Sequence, residues 1–238
     1  MDDLTQLTLQ TTPTAARPLL GLTVLVVEDS RYACEAMRLL CLRSGARIRR
    51  ADCIASARRH LQVYRPTVIM VDVGLPDGSG LDLIKELAEA SSKIDVIIGI
   101  SGEDQRAKET LQAGAHAFMP KPIESIGAFQ QTILAHLPSE RHPSGPRIVV
   151  NETVRPDPLS YNDDLAHVAN LINDGHEPAA LGYLAQFVTG VARSAHDEAL
   201  ASAGEELAHA HSRSRPTARS IAKLAGLVQE RLERPIAI

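Results

Sequence analysis

The chain has 238 residues, of which 44% are hydrophobic and 23% charged, with a formal net charge of −4 at pH 7. That balance is ordinary for a globular protein and supplies no general electrostatic pull towards nucleic acid or an anionic membrane surface. No run nears the ~18 apolar residues of a membrane span, and the first twenty residues lack the apolar stretch of a secretory signal, so the chain reads as cytoplasmic.

Aromatic residues make up 3% and Trp is absent, so any core must be aliphatic. Cys34, Cys41 and Cys53 are odd in number and lack metal-type spacing. They argue against a disulfide framework and for a reducing compartment. Cys34 and Cys41, seven apart, fall on one helix face and belong in or near a core.

In chain order, residues 1–20 read as a flexible leader. Apolar runs then occur at 22–27, 46–50, 68–71, 96–100 and 115–118, separated by helix-period segments at 31–44, 54–65, 81–90, 105–113 and 124–137. Five strands alternating with five helices predict an α/β domain, a parallel sheet covered on both faces. The first and third runs are continuously apolar, as central strands are, whereas 46–50 carries alternating Arg and belongs nearer an edge. Gly45 and Gly114 are helix stops, and Ser79 is a helix cap.

Five prolines between 138 and 158 mark a linker over 139–158, in which Ile148 to Val150 reads as a short extended segment. Beyond it, 161–172, 178–195, 197–211 and 217–234 have helical periodicity, and the middle two read equally as one long helix. The expected units are thus a leader (1–20), an α/β domain (21–138), the linker (139–158) and an all-α module (159–238).

Ligands of open parallel sheets bind where the carboxyl ends of adjacent strands splay apart. Here those ends carry Glu28 and Asp29, then Asp72, then Ser101, with Lys121 and Pro122 after the fifth strand. Three neighbouring carboxylates repel one another without a cation, and hard oxygen ligands suit Mg²⁺. A carboxylate nucleophile, a divalent ion, a hydroxyl and a lysine together can support phosphoryl transfer onto an aspartate.

Val26 to Ser30, Val71 to Gly80, Ile100 to Gly102, Gly114 to Phe118 and Lys121-Pro122 together resemble the receiver domain of bacterial two-component response regulators. The resemblance covers about 21–137 and implies a flavodoxin-like (βα)5 fold with a five-stranded parallel sheet. It implies Asp72 as the phosphorylated residue. Asp29 would ligate Mg²⁺ directly and Glu28 through water, with Asp72 itself and the Gly74 carbonyl as further ligands. Ser101 would donate to the phosphoryl group, Lys121 would pair with it, Phe118 would be the rotamer switch, and Pro122 would follow a cis bond. Such a domain is no enzyme beyond its own phosphoryl transfer and autodephosphorylation. Position 28 is Glu where Asp is commoner, Gly102 stands where Ala is usual, and His116-Ala117 replaces a typically acidic pair. Gly74 and Glu103 occupy the positions that tune dephosphorylation in this family. A bare glycine there leaves water access open and predicts a phosphoryl lifetime that is not exceptionally long.

Residues 151–238 hold 8 basic and 12 acidic side chains, against 17 of each in 1–150, which argues against DNA as a partner of the C-terminal module. Ser220 to Gly226 resembles the first helix and turn of a helix-turn-helix. The segment after it is short, acidic and ends at a proline, so one amphipathic helix with Ile221, Leu224, Leu227 or Val228, and Leu232 on a face explains it better. His196-Asp197 resembles a phosphorylatable histidine followed by an acid, or else a helix start capped by Asp197. His209 and His211, two apart, share no helix face for metal binding.

The sequence therefore predicts a response regulator phosphorylated on Asp72, with Mg²⁺, by a histidine kinase or histidine phosphotransfer protein. Its face over about 104–137 would then dock the C-terminal module, a second copy (a homodimer) or a downstream protein. The rival readings are a DNA-binding regulator and a phosphorelay protein with a phosphohistidine at His196. No membrane association is expected.

Overall fold

The computed structural model describes residues 12–91, 93–145, 149, 151–174 and 178–234. Strands β1 (Thr23–Val27), β2 (Arg47–Ala51), β3 (Val68–Asp72), β4 (Val96–Ser101) and β5 (Ala117–Pro120) form one parallel sheet in the order β2-β1-β3-β4-β5. This is the flavodoxin-like order, with the chain reversing direction across the sheet between β1 and β3. The intervening helices are α1 (Arg31–Ser44), α2 (Ile54–Val63), α3 (Gly80–Glu89), α4 (Ala107–Gln112) and α5 (Ile126–Ala135).

The local signals worked as chemistry requires. Ser30 caps α1, Ser79 caps α3, and Gly45 closes α1 in the left-handed conformation at φ 85°. β1 and β3 are central and buried, while β2 is a largely exposed edge. One core packs against each face of the sheet. Val24, Val26, Met70 and Ile98 meet α1 and α5 on one side, and Leu25, Ile69, Val71 and Ile97 meet α2 and α3 on the other. Cys34 and Cys41 lie in the first of these cores as free thiols.

Several boundaries differ from the sequence-based expectation. The fifth strand begins at Ala117 rather than 115, because Ala115 and His116 are still taken up in the α4–β5 connection. Among the described leader residues, Leu19 is fully buried and its amide donates to the Ser44 carbonyl, so the leader ends by packing into the core. The linker is likewise anchored. Thr153 bridges Ser125 antiparallel, the Val154 amide donates to the Glu124 carbonyl, and Val154 enters the core beside α5. The extended segment expected at 148–150 involves positions outside the described residues.

The C-terminal region is a four-helix bundle of α6 (Pro158–Asn173), α7 (Pro178–Ser194), α8 (Glu198–Ser212) and α9 (Ala218–Leu232). Its interior is aliphatic, formed by residues such as Leu165, Val168, Leu184, Val188, Leu200, Leu207 and Leu224. Each helix packs on two others, closing a cycle from α6 through α7, α8 and α9 back to α6. A side chain at Gly204 would lie 2.4 Å from Thr189 Oγ1, so glycine is what lets α7 and α8 approach so closely.

The segments 178–195 and 197–211 are two helices, not one. His196 takes a left-handed φ of 56°, and Asp197 caps α8 by accepting from the Leu200 amide at 3.0 Å. Asp197 also receives the Tyr161 hydroxyl and a two-pronged Arg231 guanidinium, tying α6, the turn and α9 together. Around Gly226 there is no turn, since α9 runs uninterrupted and buries Ile221, Leu224 and Val228 in the bundle. The helix-turn-helix geometry considered for Ser220 to Gly226 is therefore absent.

Candidate functional site

The carboxyl ends of β1, β3 and β4 and the loop after β5 converge as the sequence pattern required. Glu28, Asp29 and Asp72 each present a carboxylate oxygen within 4.8 Å of the others. Lys121 Nζ donates to Asp72 Oδ2 at 2.8 Å and lies 2.7 Å from Glu28 Oε2 as an ion pair. The other Glu28 oxygen accepts from the Ser30 amide at 3.2 Å, and Asp72 Oδ1 accepts from the Gly74 amide at 3.4 Å.

Among the described residues three carboxylates share one ammonium in a buried recess, so the cluster is short of positive charge. Burial and the neighbouring acids push Glu28 well above the usual carboxylate range despite Lys121, and burial together with Asp72 pushes Asp29 up to about 6. Burial works against the Lys121 charge, yet Asp72 and Glu28 outweigh it and raise Lys121. Unspent oxygen lone pairs and this charge deficit fit a hard divalent cation.

Ser101 is buried at the end of β4, with Oγ accepting from the Glu103 amide at 3.1 Å. Phe118 is half-buried in β5 opposite Gly99, and the Lys121–Pro122 bond is cis. Of the residues singled out from the sequence, Glu28, Asp29, Asp72, Gly74, Ser101 and Lys121 all line one recess. His196 lies in the α7–α8 turn, 63% exposed, with Nε2 3.0 Å from Glu124 Oε1.

The other wall of that recess is the helical bundle, which no sequence argument had placed there. From α7, Gln186, Phe187, Thr189, Gly190 and Val191 line it. The Tyr183 hydroxyl donates to Asp29 Oδ2 at 2.7 Å, and burial and the Asp29 charge raise its phenol. Asp164 of α6 sits on the amino end of α1, taking the Ser30 hydroxyl at 2.7 Å and the Arg31 and Tyr32 amides at 2.8 and 3.0 Å. These are orphan donors of a helix start, where a carboxylate is also favoured by the helix dipole.

The main contacts of the bundle are with α1 and the Gly74–Leu75 strand, while the 104–137 face, expected to dock after phosphorylation, meets it at Glu124 beside His196. The open space expected beside Gly74 is filled by Gln186. One signal for this surface existed. Tyr183, Gln186, Thr189, Gly190 and Arg193 recur every three or four residues along α7, a polar and small stripe on an otherwise apolar helix.

Removing Asp164 tests this docking. Hydrogen bonds to a charged group contribute about 1.5–3 kcal/mol, so Asp164→Ala should speed hydrogen exchange at the Arg31 and Tyr32 amides by roughly 10–100-fold. Unchanged exchange would show that the bundle is held elsewhere.

A family model described as the response regulator receiver domain matches residues 24–132. The chain is 30% identical over 162 residues to the KDP operon transcriptional regulatory protein KdpE of Escherichia coli K12, covering 66% of each chain. It is 31% identical over 114 residues to the virulence transcriptional regulatory protein PhoP of Salmonella typhimurium, covering 47% of this chain and 51% of PhoP. The chain therefore spans between about half and two thirds of these relatives.

Among solved structures, the chemotaxis response regulator CheY4 of Vibrio cholerae aligns at 24% identity with a TM-score of 0.42, covering 48% of this chain and 93% of CheY4. The receiver domain of the sensor histidine kinase PA1611 of Pseudomonas aeruginosa, described with a magnesium ion coordinated in its active site cleft, aligns at 20% identity with a TM-score of 0.44. It covers 48% of this chain and 96% of that one. With the strand order, the acidic cluster and the lysine in place, residues 24–132 of this chain are a response regulator receiver domain.

Proposed function

We propose that the chain is a two-component response regulator whose Asp72 accepts a phosphoryl group from the phosphohistidine of a histidine kinase or phosphotransfer protein. The observation that carries this is the Lys121 ammonium seated between Asp72 and Glu28, with Asp29 closing the cluster. Asp72 supplies the attacking oxygen. Lys121 then has a phosphoryl oxygen within reach in place of a free carboxylate, and the Ser101 hydroxyl can turn from the Glu103 amide to donate to the same group. Glu28, Asp29, Asp72 and the Gly74 carbonyl would hold Mg²⁺, which supplies neutralisation of charge on the transferring group. Apart from this self-modification and its reversal, the protein turns over no substrate.

The helical bundle gives the switch its output. Because α7 lies across the recess, a phosphoryl group on Asp72 and a change at Tyr183–Asp29 bear directly on how the bundle docks. Phosphorylation would shift the balance between docked and released bundle, and the released surfaces would meet a protein partner or a second copy. The relatives named transcriptional regulatory proteins give no support to the sequence-based argument against DNA, so duplex DNA belongs among the partners to be tested.

Acetyl phosphate with Mg²⁺ should label the protein, and borohydride trapping with peptide mapping should place the label on Asp72. Label on another residue would overturn the assignment. Mg²⁺ alone should also stabilise the fold. At ten times its Kd the gain is about 1.4 kcal/mol, roughly 3–5 °C in Tm for a chain of this size. Asp29→Asn should lose most of that shift.

A further inference from the structure

Gly74 follows the acceptor aspartate by two residues, and its missing side chain is replaced in space by a residue from another part of the chain. A Cβ at position 74 would lie 2.0 Å from Gln186 Nε2, 2.2 Å from Cδ and 2.7 Å from Oε1. The carboxamide of α7 therefore occupies the volume that a residue-74 side chain would fill. Its helix neighbours hold it there. Tyr183, three residues before, is bonded to Asp29, and a Cβ at Gly190, four residues after, would stand 3.9 Å from Lys121 Nζ. Gln186 lines the same recess as Asp72, Ser101 and Lys121. That recess leaves about 20 Å³ for the centres of water molecules, room for about one.

A carboxamide offers an acceptor and a donor and carries no charge. Its oxygen can accept a hydrogen bond from a bound water and turn the water's lone pair towards phosphorus, which is the service glutamine performs for the attacking water in several GTPases. We propose that Gln186 positions the water that hydrolyses the aspartyl phosphate, giving the chain a built-in phosphatase residue on its own C-terminal bundle. This rests on the assignment of Asp72 as phosphoryl acceptor. The water oxygen forms a bond to phosphorus while the bond from phosphorus to the Asp72 oxygen breaks. Asp72 leaves with the electron pair as a carboxylate that Lys121 receives. The water's two protons remain on the product as dihydrogen phosphate, which passes one on to solvent. Gln186 orients and takes no proton.

The test follows decay of label after acetyl phosphate is removed by desalting. Gln186→Met keeps bulk and loses the hydrogen bonds. It should label on Asp72 as the wild type does, retain the same Tm, and lose phosphate about 10–100-fold more slowly, the range that misplacing a reacting group commonly costs. Gly74→Ala, whose methyl group meets the carboxamide, should slow decay likewise and add nothing to Gln186→Met, since both act through one contact. Wild-type decay in Gln186→Met, or faster labelling with unchanged decay, would make Gln186 a plug and overturn the proposal while leaving Asp72 as acceptor. Absence of label on wild-type Asp72 would overturn both.

Discussion

Asp72→Asn is expected to take up no acid-labile phosphate from acetyl phosphate and Mg²⁺, falling to background, while remaining folded. Asparagine preserves the shape of the side chain but cannot form an acyl phosphate. The stability side of this prediction follows from charge. Asp72 attracts one cation, Lys121, and repels two neighbouring carboxylates, Glu28 and Asp29. Removing it forfeits one ion pair and relieves two repulsions, and Lys121 keeps Glu28 as a partner. In a buried cluster these opposing Coulomb terms are of similar size. Urea denaturation without Mg²⁺ should therefore place the variant within about 1 kcal/mol of wild type or above it, the value of a single modest interaction. A variant that still labels fully would remove Asp72 from the mechanism.

Lys121→Ala should have the opposite profile, with a large loss of stability. Its ammonium is the shared positive partner of Asp72 and Glu28, and its side chain is only 5% exposed. Breaking a buried pair by deleting one partner leaves an uncompensated charge and costs about 3–5 kcal/mol. The deficit should shrink as pH falls from 7 towards 5. Burial and Asp72 push Asp29 up to about 6 while Lys121 holds it down. Without Lys121 it rises further, so falling pH relieves the variant more than the wild type. A folded-state carboxylate with a raised pKa destabilises when ionised, and that cost disappears as it protonates. Added Mg²⁺ should restore part of the loss, since the three carboxylates retain their ligand atoms. Urea midpoints at pH 7 and 5, with and without Mg²⁺, read both effects. A loss below about 1 kcal/mol, the range of exposed ion pairs, would mean that water reaches the cluster.

The α/β half was legible because its signals are local. Continuous apolar runs give buried central strands, Gly45 and Ser79 give helix ends, and a parallel sheet must gather its strand termini on one edge. That is why the sequence alone groups Glu28, Asp29, Asp72, Ser101 and Lys121. The bundle was legible only as four amphipathic stretches. Periodicity marks which face of a helix is apolar, but helical runs joined by a small left-handed kink at His196 read equally as one helix or two. The 104–137 face concerns docking after phosphorylation, and no periodicity shows that Asp164 and Tyr183 contact α1 and the acidic cluster.

The sequence by itself determined the sheet, the cluster of acids and the lysine that neutralises part of it, since each depends on residues whose positions follow from strand order. Only the tertiary structure decided that α6 and α7 close over that cluster and that Gln186 fills the place left by Gly74. The physical reason is range. Hydrogen bonds such as Ser30 to Asp164, 134 residues apart, leave no periodic trace in the chain, because a polar residue destined for another domain's site looks the same as one destined for water.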